Sequence, residues 1–247
     1  MKNNLFQLYM LIFASCLLPA TGFGQEAPAP TFEPTENYRT VDMEGWSVVI
    51  HQDLLGEDPE FAEAGRRAQS LLRANLIFIK HRLPAGAVVK LQQITIWLDV
   101  NDPVTSCAAY HPSIEWLRNN NVNPDKARCV DIANVQNFLD WTIEQPSMVL
   151  HELAHAYHDQ FIEDGFGNTR IRTSQELSLA DEKYGDVMHA NGRMRDHYAA
   201  TNPMEYFAEL TEAYFGTNDF YPFINAELKE YDPRSYELIA EMWGVEK

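Results

Sequence analysis

Apolar side chains recur every three or four positions from Phe61 through Ala64, Ala68, Leu71, Leu72 and Leu76 to Ile79. That is the spacing of one helix face. Asp58-Pro59 ahead of the run offers an N-cap and a proline at the first helical position, and Leu83-Pro84 closes it, so the pattern predicts one long amphipathic helix. Elsewhere in the first half the period shortens. Trp46 to His51 and Ile94 to Val100 are short, β-branched and mostly apolar, which predicts two strands, the second central in a sheet. Val130 to Asn134 is a weaker third strand. From Ser147 onward strand signals largely stop, and helices are predicted at 147 to 162, 174 to 190, 203 to 215 and 233 to 243. The last has Asp232 as N-cap, Pro233 at N1 and Gly244 past its end. Strands first and helices after is the order of an α+β domain.

The first residues follow a different pattern. An apolar run from Leu5 to Leu18, with Lys2 before it and small residues at Ala20-Thr21-Gly22 and Gly24 after it, predicts a secretory signal peptide over 1–24. The run is too short and too poorly flanked to span a bilayer. Cys16 follows Phe13-Ala14-Ser15, a loose lipoprotein box, so lipid anchoring in place of secretion or periplasmic release stays open. Pro28, Pro30, Pro34 and several acids predict a disordered linker over 25–39, leaving 40–247 as one domain with a sizeable core.

Charge narrows the partners. The chain has 19 Lys and Arg against 36 Asp and Glu; loss of residues 1–24 removes Lys2 and no acid, so 18 against 36 leaves −18. Nucleic acid and anionic lipid both require clustered basic residues and are excluded as expected partners. Cys107 and Cys129 are the two cysteines beyond the leader, and an even pair in an exported chain predicts a disulfide. It would close a loop of about twenty residues worth roughly 3 kcal/mol. Neither lies in a C-x-x-C pair, which argues against a thiol metal site. Cys107 to Pro112 is then expected as a disulfide-held loop, with Tyr110 and His111 either over a cleft or merely on the surface.

The chemistry concentrates at His151-Glu152-Leu153-Ala154-His155. On a helix, positions i and i+4 share a face, so both imidazoles can reach one metal while Glu152 stands beside it as a base. A catalytic zinc needs a third protein ligand and an open position. A histidine six residues past His155 is ruled out because Phe161 stands there, and His158 lies about 10 Å along the helix from His151. Asp219, in Gly216-Thr217-Asn218-Asp219, is one candidate. Another is a glutamate of Asn202-Pro203-Met204-Glu205-Tyr206-Phe207-Ala208-Glu209, where Glu205, Glu209 and Glu212 share a helix face. Glu205 also fits a purely structural capping box with Asn202 and Pro203.

The His151–His155 run, the Asn202–Glu209 segment and Tyr198 seven residues ahead of Glu205 together resemble the catalytic domain of anthrax lethal factor and its bacterial relatives among the gluzincin metallopeptidases. The likeness is confined mainly to residues 147–215. It implies His151, His155 and Glu205 as ligands of one zinc per chain, Glu152 as general base and Tyr198 as catalytic tyrosine; His197, beside Tyr198 in the sequence, is an alternative oxyanion donor. Glu209 would hold a ligand histidine from outside the metal shell. It also implies a zincin-like fold: a small mixed sheet with a backing helix, the active-site helix, then a helical C-terminal half. The expected function is an exported zinc metallopeptidase, an endopeptidase rather than an exopeptidase and a monomer, acting on peptide or protein laid along Val130 to Asn134 as a sheet edge. A zinc-binding, catalytically idle interaction domain is the alternative.

Overall fold

β-Branched and aromatic residues at 46–51, 96–98 and 130–132 form the middle of a five-stranded sheet. The computed structural model describes residues 32–56 and 60–246. The expected signal peptide, Cys16, most of the expected linker and the Asp58-Pro59 helix start lie outside the described residues. In chain order the elements of the first half are β1 (Tyr38–Met43), β2 (Trp46–His51), α1 (Ala62–Arg82), α2 (Ala85–Leu91), β3 (Ile96–Leu98), β4 (Ala108–Tyr110), α3 (Ile114–Asn119), β5 (Val130–Ile132) and α4 (Val135–Trp141). Then follow α5 (Met148–Phe161), α6 (Thr169–Ala180), the hairpin β6 (Asp186–Met188) and β7 (Met194–Asp196), α7 (Pro203–Phe215), α8 (Asn225–Tyr231) and α9 (Pro233–Trp243).

The sheet runs β1-β2-β3-β5-β4. Its three inner strands are parallel, and β1 and β4 pair antiparallel at the two edges. The result is a mixed α+β architecture. Alternation along the strands explains its two faces. Val48, Ile50, Ile96, Leu98, Val130 and Ile132 point into the main core, where they share one cluster with Ala68, Leu72, Leu76 and Ile79 of α1. Tyr38, Val49 and Trp97 form a smaller cluster on the other face. There Lys126, 1% exposed, lies 2.9 Å from Asp131 and 3.1 Å from Asp99. Burial works against its charge, but the two aspartates outweigh burial and hold its pKa above the ordinary lysine value. No helix among the described residues is long and apolar enough to cross a membrane.

Several expectations need correction. The chain is folded within the stretch assigned to the linker: Thr35–Asn37 form a 3-10 turn, Thr35 Oγ1 donates to Asp125 at 2.6 Å, and β1 begins at Tyr38. Val130–Ile132 is an interior strand, and the edge is β4, whose three residues are too short a run for periodicity to register. The predicted helix at 174–190 is displaced to Thr169–Ala180, because Asn168 caps it by accepting from the Arg170 and Ile171 amides. It stops where Glu182 and Tyr184 take positive φ of 58° and 64°. The remainder of the predicted span holds β6, which pairs with β7 just beyond it.

The expected Cys107–Cys129 disulfide is absent; both thiols are free. Register gives the reason. In the β4–β5 ladder Cys107 faces Ala133 and Cys129 faces His111, as their backbone hydrogen bonds show. The cysteines are therefore four residues apart along the ladder, about 13 Å at strand rise, whereas a disulfide needs Cα atoms within about 7 Å. They also serve different faces: Cys107 belongs to the main core, and Cys129 packs on the Tyr38–Trp97 cluster.

Candidate metal centre

Two helices of the C-terminal half, α5 and α7, carry the candidate groups, and α7 is enclosed by neighbours. Every residue from Tyr206 to Phe215 is buried, charged ones included. Such a helix is held by hydrogen bonds as well as apolar contact. The Tyr206 hydroxyl meets Ser174 at 3.1 Å and Ser178 at 3.2 Å, and Trp243 Nε1 donates to Thr211 at 2.9 Å, tying α7 to α6 and α9. At the other end Ser147 Oγ donates to the Thr217 carbonyl at 2.8 Å and accepts from the Thr217 amide at 3.0 Å. This brings the start of α5 against the end of α7, and a Cβ on Gly216 would lie 2.5 Å from Ser147 Oγ.

That docking assembles three side chains. His151 Nε2 lies 3.0 Å from His155 Nε2 and 3.1 Å from Glu205 Oε2, and His155 Nε2 lies 3.2 Å from the same oxygen. The edges of this triangle are close to the roughly 3.3 Å between neighbouring ligands of a tetrahedral zinc. Two imidazole nitrogens and one carboxylate oxygen are also a donor set that suits zinc. Burial alone would raise the Glu205 carboxyl, but His155 and His151 hold it well below the usual carboxylate range. The capping reading of Glu205 is half right. Asn202 Oδ1 accepts from the Met204 and Glu205 amides, both at 2.9 Å. The Glu205 carboxylate turns instead to the histidines.

The partner of the His151 ring differs from expectation. His151 Nδ1 is 2.7 Å from Glu212 Oε1, whereas Glu209 Oε1 is 3.7 Å away. With the Glu212 carboxylate as acceptor, the His151 proton would sit on Nδ1, and metal binding would use the lone pair of Nε2, the atom that faces His155 and Glu205. Glu212 is seven residues past Glu205, two turns along the same face, so the shared face was legible and the choice between the two glutamates was not. Burial pushes the Glu212 carboxyl up to about 7, and burial together with Glu212 raises Glu209 well above the carboxylate range. We expect Glu212→Ala to weaken zinc binding by about 10- to 100-fold in a chelator competition, and Glu209→Ala to weaken it less. The opposite order would return the role to Glu209.

Other candidates separate cleanly. Asp219 is not among the side chains that meet at the triangle; it lies 3.3 Å from His189 Nε2 and 3.4 Å from Gln145 Nε2. His158 is fully buried between the Phe166 and Phe207 rings, and burial depresses its pKa to about 3. His197 is 1% exposed and stacks on Phe220; its Nδ1 accepts from the Ala199 amide at 3.1 Å, and its Nε2 is buried without a hydrogen-bond partner, so burial keeps the ring from solvent. Tyr198 is 47% exposed in a 3-10 turn leading to α7. Burial of its phenol and then the Glu205 carboxylate push its pKa up to about 12, and it feels the His151 and Glu152 charges as well. Glu152 accepts a hydrogen bond from the Tyr110 main-chain amide of β4 at 2.8 Å, a contact invisible in sequence because every non-proline residue carries that donor. His111, on the opposite face of the sheet, pairs with Asp131 at 3.1 Å.

Residues 130–243 match the model of a family described as Glucose-regulated metallo-peptidase M90. The matched stretch contains β5, α5 and α7, and with them His151, Glu152, His155, Tyr198, Glu205 and Glu212. It supports a zinc metallopeptidase family, hence a metal cofactor and a peptide or protein substrate, without singling out the lethal-factor branch. No curated protein and no solved structure gives a significant match to the chain.

Proposed function

We propose that the protein is an exported zinc metalloendopeptidase of the lethal-factor-like gluzincin type. The observation that carries the reading is the triangle of His151 Nε2, His155 Nε2 and Glu205 Oε2, with Glu152 on the same helix as the histidines. His151, His155 and Glu205 would hold the zinc, which would supply the Lewis acidity that activates water near neutral pH and polarises a peptide carbonyl. Glu152 takes the proton from the attacking water and delivers it to the leaving nitrogen. Glu212, through His151 Nδ1, fixes the tautomer and direction of one ligand. The Tyr198 phenol donates to the oxyanion as it forms. A peptide adds as a strand along β4, the sheet edge next to α5, and can extend past both ends of that short strand, which favours internal cleavage. The apolar run from Leu5 to Leu18 and the small residues after it support export.

The test is cleavage of a peptide library by the purified chain. Activity is expected to vanish on chelation and return with one equivalent of zinc per chain; a zinc-loaded protein that cuts nothing would favour the idle interaction domain. Tyr198→Phe is expected to lower kcat by about a hundred- to a thousandfold with little change in KM, the signature of a donor used only in the transition state.

A further inference from the structure

The edge strand does more than border the site. In the β4–β5 ladder, Ala133 N donates to Cys107 O at 2.7 Å and His111 N donates to Cys129 O at 3.1 Å. Residues 107, 109 and 111 therefore face β5, and the alternate residues 108 and 110 turn their N–H and C=O groups toward the open edge. An outward amide at such an edge ordinarily meets solvent or an incoming peptide. The Tyr110 amide instead donates to Glu152 Oε2 at 2.8 Å. The Tyr110 side chain is anchored to the same helix two turns further on. Its hydroxyl donates to Asp159 Oδ2 at 2.6 Å and accepts from Gln160 Nε2 at 3.0 Å. Glu152 and Asp159 are seven residues apart, so they lie on one face of α5. One residue thus pins the edge strand to the active helix at two points.

We infer that Tyr110 is the positioning residue for the general base: its main-chain N–H holds Glu152 Oε2, directing Oε1 toward the cluster formed by His151, His155 and Glu205. This rests on the peptidase reading above. A glutamate has three rotatable bonds, and an unpinned one spreads over rotamers of which few suit proton transfer. The phenol anchor to Asp159 and Gln160 keeps the amide from drifting along the helix. A second consequence concerns binding. With the Tyr110 amide committed to Glu152, the outward main-chain groups of Ala108 and the Tyr110 carbonyl are those that β4 presents to a peptide.

The decisive variant replaces Tyr110 by its α-hydroxy acid in the full-length, zinc-loaded protein, which turns the amide into an ester, removes that N–H and leaves the side chain in place, at the cost of a weaker Ala109 carbonyl acceptor toward β5. Expected are a kcat lower by about 10- to 100-fold, KM near the wild-type value and zinc still at one per chain. Tyr110→Phe, which keeps the amide and loses the phenol anchor, should lose less. A wild-type kcat in the ester variant overturns the inference, and so does a loss confined to KM, which would make the amide a substrate contact. A second measurement does not depend on activity. Hydrogen exchange at the Tyr110 amide should be slow in the wild type and at least about tenfold faster in Glu152→Ala, since Glu152 accepts the hydrogen bond of this outward-facing amide; equal rates overturn the contact. A wild type that cleaves no peptide overturns the underlying reading, which is distinct from an active enzyme indifferent to the ester.

Discussion

Glu152→Gln is expected to abolish peptide hydrolysis while leaving one zinc per chain. The side chains that meet at the candidate centre are His151, His155 and Glu205, and Glu152 is not among them. Its removal therefore leaves the ligand triangle in place and takes away only the group that moves the proton. Positioned acid and base catalysis typically contributes about a hundred- to ten-thousandfold. Because Glu152 would serve both steps, as base toward water and as acid toward the leaving nitrogen, the loss should lie toward the upper part of that range. Glutamine keeps the volume and can still accept the Tyr110 amide, so thermal stability with zinc bound should be close to wild type. Steady-state kinetics on one peptide, beside metal analysis of the same preparation, checks the result. Loss of zinc together with activity would mean that Glu152 is a ligand or a structural group.

Glu205→Gln is the second large effect, and here the metal is lost. First-sphere removal should weaken zinc binding by more than the 10- to 100-fold typical of outer-sphere partners. Helix α7 should survive, because its cap uses the Glu205 amide and the Asn202 side chain, both retained. Zinc bound only to the folded state stabilises it by about 2.7 kcal/mol at a hundredfold excess over Kd. The increase in Tm on adding zinc, clear in the wild type, should therefore be small in Glu205→Gln. Asp219→Asn should retain near-stoichiometric zinc, since His189 and Gln145 are the partners of that carboxylate. The reverse pair of results would move the third ligand to Asp219.

Much of the frame was legible along the chain. Strand Trp46–His51 and helices Pro203–Phe215 and Pro233–Trp243 have the bounds that periodicity and caps predict. Asp232 accepts from the Ser235 amide and Gly244 takes φ 71°, as the cap signals require. What went unread was short or mutual. Strand β4 has three residues and no alternation to detect, and its edge position follows from pairing with β5. The disulfide was expected from an even count of cysteines, but ladder register separates them.

For the site, local spacing alone determined that His151 and His155 share a helix face with Glu152 beside them, because a helix repeats every 3.6 residues whatever surrounds it. The sequence also determined that Glu205, Glu209 and Glu212 line one face of a later helix. Only the packing of α5 on α7 decided that Glu205 meets both imidazoles, that Glu212 rather than Glu209 takes His151 Nδ1, and that Asp219 is not part of the cluster. Only the antiparallel edge of β4 turned the Tyr110 amide toward Glu152. Periodicity is a property of one segment and can be read from it. Which of several equivalent carboxylates comes within hydrogen-bonding distance depends on the angle and offset of two segments some fifty residues apart, and that geometry is set by the buried contacts of the whole core.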